Sequence, residues 1–323
     1  MRFYLLATLG AATLTQAGCF NKVFSQYSFD LEKNSNAYWM ADISDAVYIT
    51  ALSIPGTHNS MTYLLEEHPP LHCQNVNLEQ QLEGGIRYID VSGRLVGNDI
   101  HIYHGNTDTG FDLDWVINTA FDFLDDHPKE VIIMRLKKDT WGSGANEGFE
   151  KSIRYSVFSD SYLSRRAAER LYIPNEEGVF RVPTMGVLRG KVLIVQDFPT
   201  KPSGRYGLQW GSKDAVISDF KMIPGHFAMG HKWKHVKDAI NTASTVKDAK
   251  LHITHSSVSV GTTPYKSAGG KDSNSLGMND RLGQYLNDAT VRRTGVVVMD
   301  FPGKDLITQI IQRNTEFRQP IDV

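Results

Sequence analysis

Cysteine is nearly absent: Cys19 and Cys73 are the only two in 323 residues, which rules out a disulfide-built scaffold. There is no Cys-x-x-Cys and no His-x-His cluster, so the common zinc spacings are missing as well. No Asn-x-Ser/Thr sequon occurs. Lys and Arg form no long run and the formal net charge is -2, so bulk electrostatics point neither to nucleic acid nor to a strongly anionic membrane. No internal repeat, low-complexity tract or composition break divides the chain, and no dinucleotide-type glycine signature is present.

What is present suits a soluble globular enzyme: 41% hydrophobic and 22% charged residues, in a chain long enough for one large α/β barrel. Residues 1–17 differ in kind. Arg2 gives a basic start, Phe3 to Leu14 carries no charge, and Ala17 closes the run, which is the layout of a secretory signal peptide. The mature chain, residues 18–323, is then expected outside the cell. Ala17-Gly18-Cys19 is similar to a lipoprotein cleavage site, but Gln16 stands where that signal wants an apolar residue. An oxidising compartment would permit a Cys19–Cys73 disulfide; two free thiols are the alternative.

Strand and helix patterns alternate along the rest. Ala51 to Gly56 is a short apolar run broken at Pro55-Gly56, placing His58 just past a strand end. Asn77 to Leu82 reads as a capped helix stopped by Gly84-Gly85. Ile86 to Ser92 reads as a strand with Tyr88, Asp90 and Ser92 on one side, and Ile100 to His104 as another that ends in a histidine. The three-four spacing of Leu113, Val116, Ile117, Ala120, Phe121 and Leu124 predicts a helix over 112–127.

Further strands are expected at Glu130 to Lys137, Gly190 to Asp197, Leu251 to Ser257 and Gly295 to Met299, with helices near 275–288 and 306–312. Residues 198–249 read as irregular and aromatic, a covering region for substrate. Seven or so parallel strands with right-handed crossovers give a distorted or incomplete (β/α)8 TIM barrel, one domain.

In such a barrel the carboxyl ends of the strands meet on one face, where catalysis takes place. His58, His104 and Asp300 fall at three such ends, Asp90 on a fourth strand and Lys137 on a fifth. Two imidazoles can act as general base and general acid on opposite sides of one phosphorus. A carboxylate fixes the tautomer of one of them, and a cation offsets charge on the phosphate oxygens. Each feature also has a plainer structural reading: a buried Asp that pins a neighbour, a solvated lysine at a strand end.

Five motifs in this order resemble the catalytic X-domain of phosphatidylinositol-specific phospholipase C in its small secreted microbial form. They are Ser53 to Ser60, Gly85 to Asp90, Ile102 to Gly105, Ile132 to Lys138 and Val297 to Pro302. The resemblance implies a distorted TIM barrel that cleaves the phosphodiester between diacylglycerol and inositol phosphate. His58 would be the base for the inositol 2-hydroxyl, giving a cyclic 1,2-phosphate. His104 would be the acid, Asp300 would orient His58, and Asp90 would support the phosphate side.

Departures accompany the match. The metal-independent bacterial pattern has Asp and Arg where this chain has Asn59 and Ser92; the calcium pattern has Asn at the first position and acids matching Asp90, Ser92 and Lys137. Calcium, if used, would fall to Asn59 and Asp90, two donors where it takes six to eight oxygens. No metal cofactor is therefore expected, and Lys137 or Arg135 would replace the missing cation. The expected partner is a phospholipid met by transient membrane-surface contact, with no nucleic acid and a monomeric chain. Rival readings are a metal-dependent phosphodiesterase on another phospholipid and a headgroup-binding relative without turnover.

Overall fold

The computed structural model describes residues 18–319 apart from 140–145, 160, 174–181, 201–205, 221–227, 259–260, 271–274 and 288–289. The expected signal peptide lies outside the described residues. Strands β1 (Gly18–Phe20) and β2 (Val23–Ser25) make an antiparallel hairpin. It lays Phe20 against Phe29, His72 and Phe301, fastening the lead-in to the barrel. Both cysteines are free thiols, Cys19 exposed on this hairpin and Cys73 buried.

Strand β3 (Ile54–Thr57) is fully buried. Gly56 is needed there because a Cβ would stand 2.8 Å from that of Tyr88 on the adjacent strand. Helix α1 (Leu78–Glu83) begins with a capping box, Asn77 accepting from the Gln80 N–H and Gln80 reaching back, and it ends at Gly84-Gly85. Strand β4 (Tyr88–Val96) then runs well past the barrel wall before turning back at Gly97, whose φ is 63°.

That overrun changes one expectation. The segment carrying His104, β5 (Asp99–His104), is no parallel barrel strand; it pairs antiparallel with β4 and with β6 (Thr107–Asp112). Helix α2 (Leu113–Asp126) follows, capped by Asp112, which accepts from the Trp115 N–H at 2.7 Å. Next come β7 (Val131–Lys138), α3 (Asn146–Phe158), α4 (Tyr162–Arg170), the two-residue β8 (Leu171–Tyr172), α5 (Met185–Leu188) and β9 (Lys191–Asp197).

The stretch read as irregular holds more order than its composition suggests. It contains β10 (Leu208–Gln209), β11 (Ala215–Ser218) and the long helix α6 (Ala228–Thr245). The chain closes with β12 (Leu251–His255), α7 (Pro264–Gly269), α8 (Met278–Leu286), β13 (Val296–Met299) and α9 (Lys304–Gln312). Helix α7 has Pro264 in its first turn, where a missing backbone N–H costs no hydrogen bond.

The barrel strands lie in the order β10-β9-β7-β4-β3-β13-β12-β11, every pair parallel. The path ends at β10 and β11, which do not pair with each other, so the barrel has a seam. Only residues 210–214 join these two strands, too few for a crossover helix. An incomplete barrel is thus what forms, with one continuous apolar core between strands and helices.

At the amino-terminal end of the barrel, Arg87 and Glu130 form a fully buried ion pair of 2.8 Å. The guanidinium also donates to the Leu82, Ile86 and Ala37 carbonyls, and Glu130 accepts from the Met40 N–H. This network ties the lead-in to the barrel floor.

Candidate active site

His58 follows β3 directly, and its N–H donates to the Met299 carbonyl of β13 at 2.9 Å. Asp300 is the next residue after β13, so the parallel pairing of β3 with β13 sets the two side chains face to face. His58 Nδ1 lies 2.8 Å from Asp300 Oδ1, and the other carboxylate oxygen accepts from the Val258 N–H at 3.2 Å. Gln74 holds the backbone below, donating to the carbonyls of His58 and Met299.

His104 reaches the same place by way of the antiparallel excursion. Its Nδ1 lies 2.8 Å from the Leu71 carbonyl, a partner that can only accept, so the proton sits on Nδ1 and Nε2 is left for chemistry. The two rings stand nearly perpendicular with centroids 6.1 Å apart.

Asn59 lies between them. Its Nδ2 is 3.0 Å from His58 Nε2 and 3.1 Å from His104 Nε2, so one amide bridges the two atoms that an acid–base pair would use. Asn59 holds a positive φ of 42°, a conformation Asn tolerates better than most residues and one that clusters at functional sites.

Electrostatics separate the two histidines. Burial pulls His58 toward the neutral form, but the charge and hydrogen bond of Asp300, helped by Asp90 and Asp219, hold its pKa above the ordinary value. Burial lowers that of His104, and the neighbouring His58 lowers it further. This order is opposite to the one that a base at His58 and an acid at His104 need, so bound substrate has to reverse it before chemistry.

The interior wall beyond His58 is charged. The register of β4 against β7 pairs Asp90 with Arg135 and Ser92 with Lys137. Arg135 reaches Asp90 at 3.3 Å and Asp197 at 2.7 Å, and its guanidinium lies 3.7 Å under the Trp210 ring. Burial opposes both charges of the Asp90–Arg135 pair, yet each partner stabilises the other, so the Asp90 pKa falls and that of Arg135 rises. Lys137 is half-buried and has no ion-pair partner among the described residues. It lines a cavity of about 420 Å³ together with Asp197, Phe198, Gln209 and Trp210. A larger hollow of about 660 Å³, lined by Tyr38, Trp39, Glu83 and His127, lies at the barrel's other end, away from every residue above.

The structure therefore brings His58, His104, Asp300 and Asn59 into direct contact. It sets Asp90, Arg135, Ser92 and Lys137 along one adjoining wall. Sequence reasoning missed several neighbours. His255 ends β12 as His58 follows β3, and its buried ring stands edge-on to both His58 and Trp210, centroids 6.0 Å away in each case. A histidine closing an apolar strand was the available signal. Burial pushes its pKa well below the ordinary value. Cys73 is also buried here, 4.0 Å from Asn59 Nδ2 and from His104 Nδ1, where burial raises the thiol pKa. Trp210 and Asp197 carried no local mark of their partnership with Arg135.

Residues 49–197 match the model of the phosphatidylinositol-specific phospholipase C X domain. A 1-phosphatidylinositol phosphodiesterase of Listeria monocytogenes is 32% identical over 292 residues, spanning 85% of this chain and 84% of that protein. One from Staphylococcus aureus is 22% identical across 90% of this chain and 98% of its own length. The solved structure of the phosphatidylinositol-specific phospholipase C from L. monocytogenes superposes with a TM-score of 0.74 at 30% identity, over 87% of this chain and 99% of that one. A mutant form of the S. aureus enzyme gives 0.67 at 21% identity, over 89% and 99%, a likeness of fold. With strand ends, paired histidines and these relatives in agreement, the chain belongs to the phosphatidylinositol-specific phospholipase C X-domain family.

Proposed function

We propose that the protein is a phosphodiesterase that cleaves phosphatidylinositol-type lipids by acid–base catalysis between His58 and His104. The observation that carries this reading is the His58–Asp300 pair, joined to His104 through one amide on the catalytic face of the barrel. The family's named relatives act on phosphatidylinositol.

In the reaction, His58 Nε2 takes the proton of the inositol 2-hydroxyl while that oxygen bonds to phosphorus. The phosphorus–oxygen bond to diacylglycerol breaks, and His104 Nε2 gives the leaving oxygen its proton. Asp300 keeps the His58 proton on Nδ1 and stabilises the cation that forms. Substrate must displace the Asn59 amide from between the two Nε2 atoms, and the phosphate's own negative charge raises the proton affinity that burial lowers in His104.

Lys137 is the cation for the phosphate oxygens. Arg135 is the weaker candidate because its charge is already shared between Asp90 and Asp197 beneath Trp210. The same pairing speaks against calcium: Asp90 is engaged by Arg135, and Lys137 adds a second positive charge where a divalent ion would sit. The donor set suits metal-free catalysis.

We infer a secreted, monomeric enzyme that touches bilayers transiently. Supporting this are the signal-like first residues and Leu64, 60% exposed on the loop after His58 whose Leu71 carbonyl holds His104. Among the described residues no helix is long and apolar enough to cross a membrane. Trp210 and Trp233 are engaged instead in packing on Arg135 and Tyr285. The test is incubation with phosphatidylinositol vesicles, with and without chelator, following cyclic inositol phosphate by phosphorus NMR. Product that is insensitive to chelator and absent with His58→Ala is expected. Equal product from that variant overturns the mechanism; a need for added calcium overturns the metal-free reading.

A further inference from the structure

Cys73 has no part in the acid–base scheme, yet it is buried against it. Its Sγ, a ring nitrogen of His58 and an Asp300 carboxylate oxygen all lie within 4.8 Å of one another, and the His58 nitrogen that faces Asp300 is Nδ1, at 2.8 Å. Three side chains from separate parts of the fold thus converge a nitrogen, a sulfur and an oxygen on one point. Each is already held: Asp300 by the Val258 N–H, the His58 backbone by Gln74, and Cys73 by the Thr62 hydroxyl that accepts from its N–H at 3.1 Å.

We propose that this trio is an inhibitory site for zinc or a similar thiophilic divalent ion. Zinc takes sulfur at about 2.3 Å and imidazole nitrogen or carboxylate oxygen at about 2.0–2.2 Å in a tetrahedron, with one position left to water. That geometry needs neighbouring donors roughly 3.3–3.8 Å apart, so the His58–Asp300 pair parts slightly and the thiol closes in, movements on the order of 1 Å. Calcium and magnesium, which choose oxygen, have no reason to settle on a thiolate.

The inhibition follows from which nitrogen is used. A metal on Nδ1 displaces the proton that Asp300 normally receives, and the neutral ring then carries its proton on Nε2. That atom can no longer accept a proton from a substrate hydroxyl. Binding also breaks the S–H bond of Cys73, the proton leaving to solvent as the sulfur–metal bond forms. Zinc accepts one electron pair from each of the three donors and stays divalent, so no oxidation or reduction takes place.

Zinc binding is read without turnover, so its failure is distinct from failure of the phospholipase reading. A second place for zinc must be removed first: His231 and His235, four residues apart and exposed on α6, form a chelating spacing of their own. In a His231→Gln/His235→Gln background, zinc affinity is measured by competition with a chromophoric chelator, and cobalt(II) is used to look for a thiolate-to-metal charge-transfer band. One zinc per chain, that band, and rate loss on the same zinc scale are expected. Cys73→Ser should abolish the band and weaken zinc binding about 10–100-fold. A circular-dichroism melt of each variant establishes that it is folded. Absence of stoichiometric zinc in the folded background protein, or undiminished zinc affinity in folded Cys73→Ser, overturns the proposal.

Discussion

Replacing Asp300 by asparagine keeps the shape of the side chain and removes its charge, and the surroundings make that exchange costly. The carboxylate accepts twice, from His58 Nδ1 at 2.8 Å and from the Val258 N–H at 3.2 Å. An amide cannot accept on both sides. If its oxygen faces His58, its NH2 meets the Val258 N–H donor to donor; if it turns, the NH2 faces Nδ1 and drives the His58 proton to Nε2, where the base must be empty.

A hydrogen bond to a charged group contributes about 1.5–3 kcal/mol, roughly one to two decades in rate. An inverted tautomer extends the loss to about 10⁴-fold. The loss belongs in kcat, since the transition state gains most from an oriented, stabilised imidazolium. The pH profile gives an independent sign. His58 must be neutral to act as base, so its pKa sets the acidic limb of kcat/KM. Burial lowers that pKa and Asp300 outweighs it. With the charge gone, burial prevails and the limb moves to lower pH. Initial rates of cyclic phosphate release across the pH range measure both effects. A variant with more than about a tenth of the parent rate and an unmoved acidic limb refutes the role assigned to Asp300.

Arg135→Met should unfold more readily by ~3–5 kcal/mol in urea titration, because Asp90 and Asp197 lose their shared cation in a buried setting. Lys137→Met should leave the urea midpoint nearly unchanged and lower kcat by about 10–10²-fold; full activity would move the phosphate cation elsewhere. His255, with its folded pKa depressed, stays neutral in the native state while the unfolded chain takes up a proton as pH falls below the ordinary histidine value. Stability should therefore decline on acidification through that window. His255→Phe should lessen the decline, measured as the difference in urea midpoint between neutral and mildly acidic buffer, and an identical decline would show that other groups are responsible.

Much of this site was legible because the fold states it locally. His58 and Asp300 each follow an apolar strand, and parallel pairing of two such strands was enough to set them side by side. The capped helix α1 and the amphipathic helix α2 could be read for the same reason: their signals lie within a few residues. His104 was legible as a residue and not as a position, since nothing in Ile100 to His104 says whether its partner strand runs parallel or antiparallel. The decision rests on β4 continuing to Val96 and turning at Gly97.

Residues 198–249 were opaque for a different reason. Strands β10 and β11 are two and four residues long, below the length at which periodicity can show. The bridging place of Asn59 and the guanidinium stack of Trp210 are tertiary facts, set by pairs of residues far apart in the chain.

The seam between β10 and β11 carries a mechanical consequence. A closed barrel shares any strain around its ring, whereas a cut one has two free rims that separate first when the molecule is loaded by heat or denaturant. Here the rims are short, which limits the backbone they offer for pairing with another molecule. Amide hydrogen exchange should therefore run fastest at these rims and slowest in β3, β4 and β13 opposite them. The general base follows β3, in the middle of the strand path, and its carboxylate follows β13, two strands in from the β11 rim. The aromatic lid Trp210 directly follows the β10 rim and covers Arg135 on β7, so loosening that rim disturbs the guanidinium stack before it reaches His58.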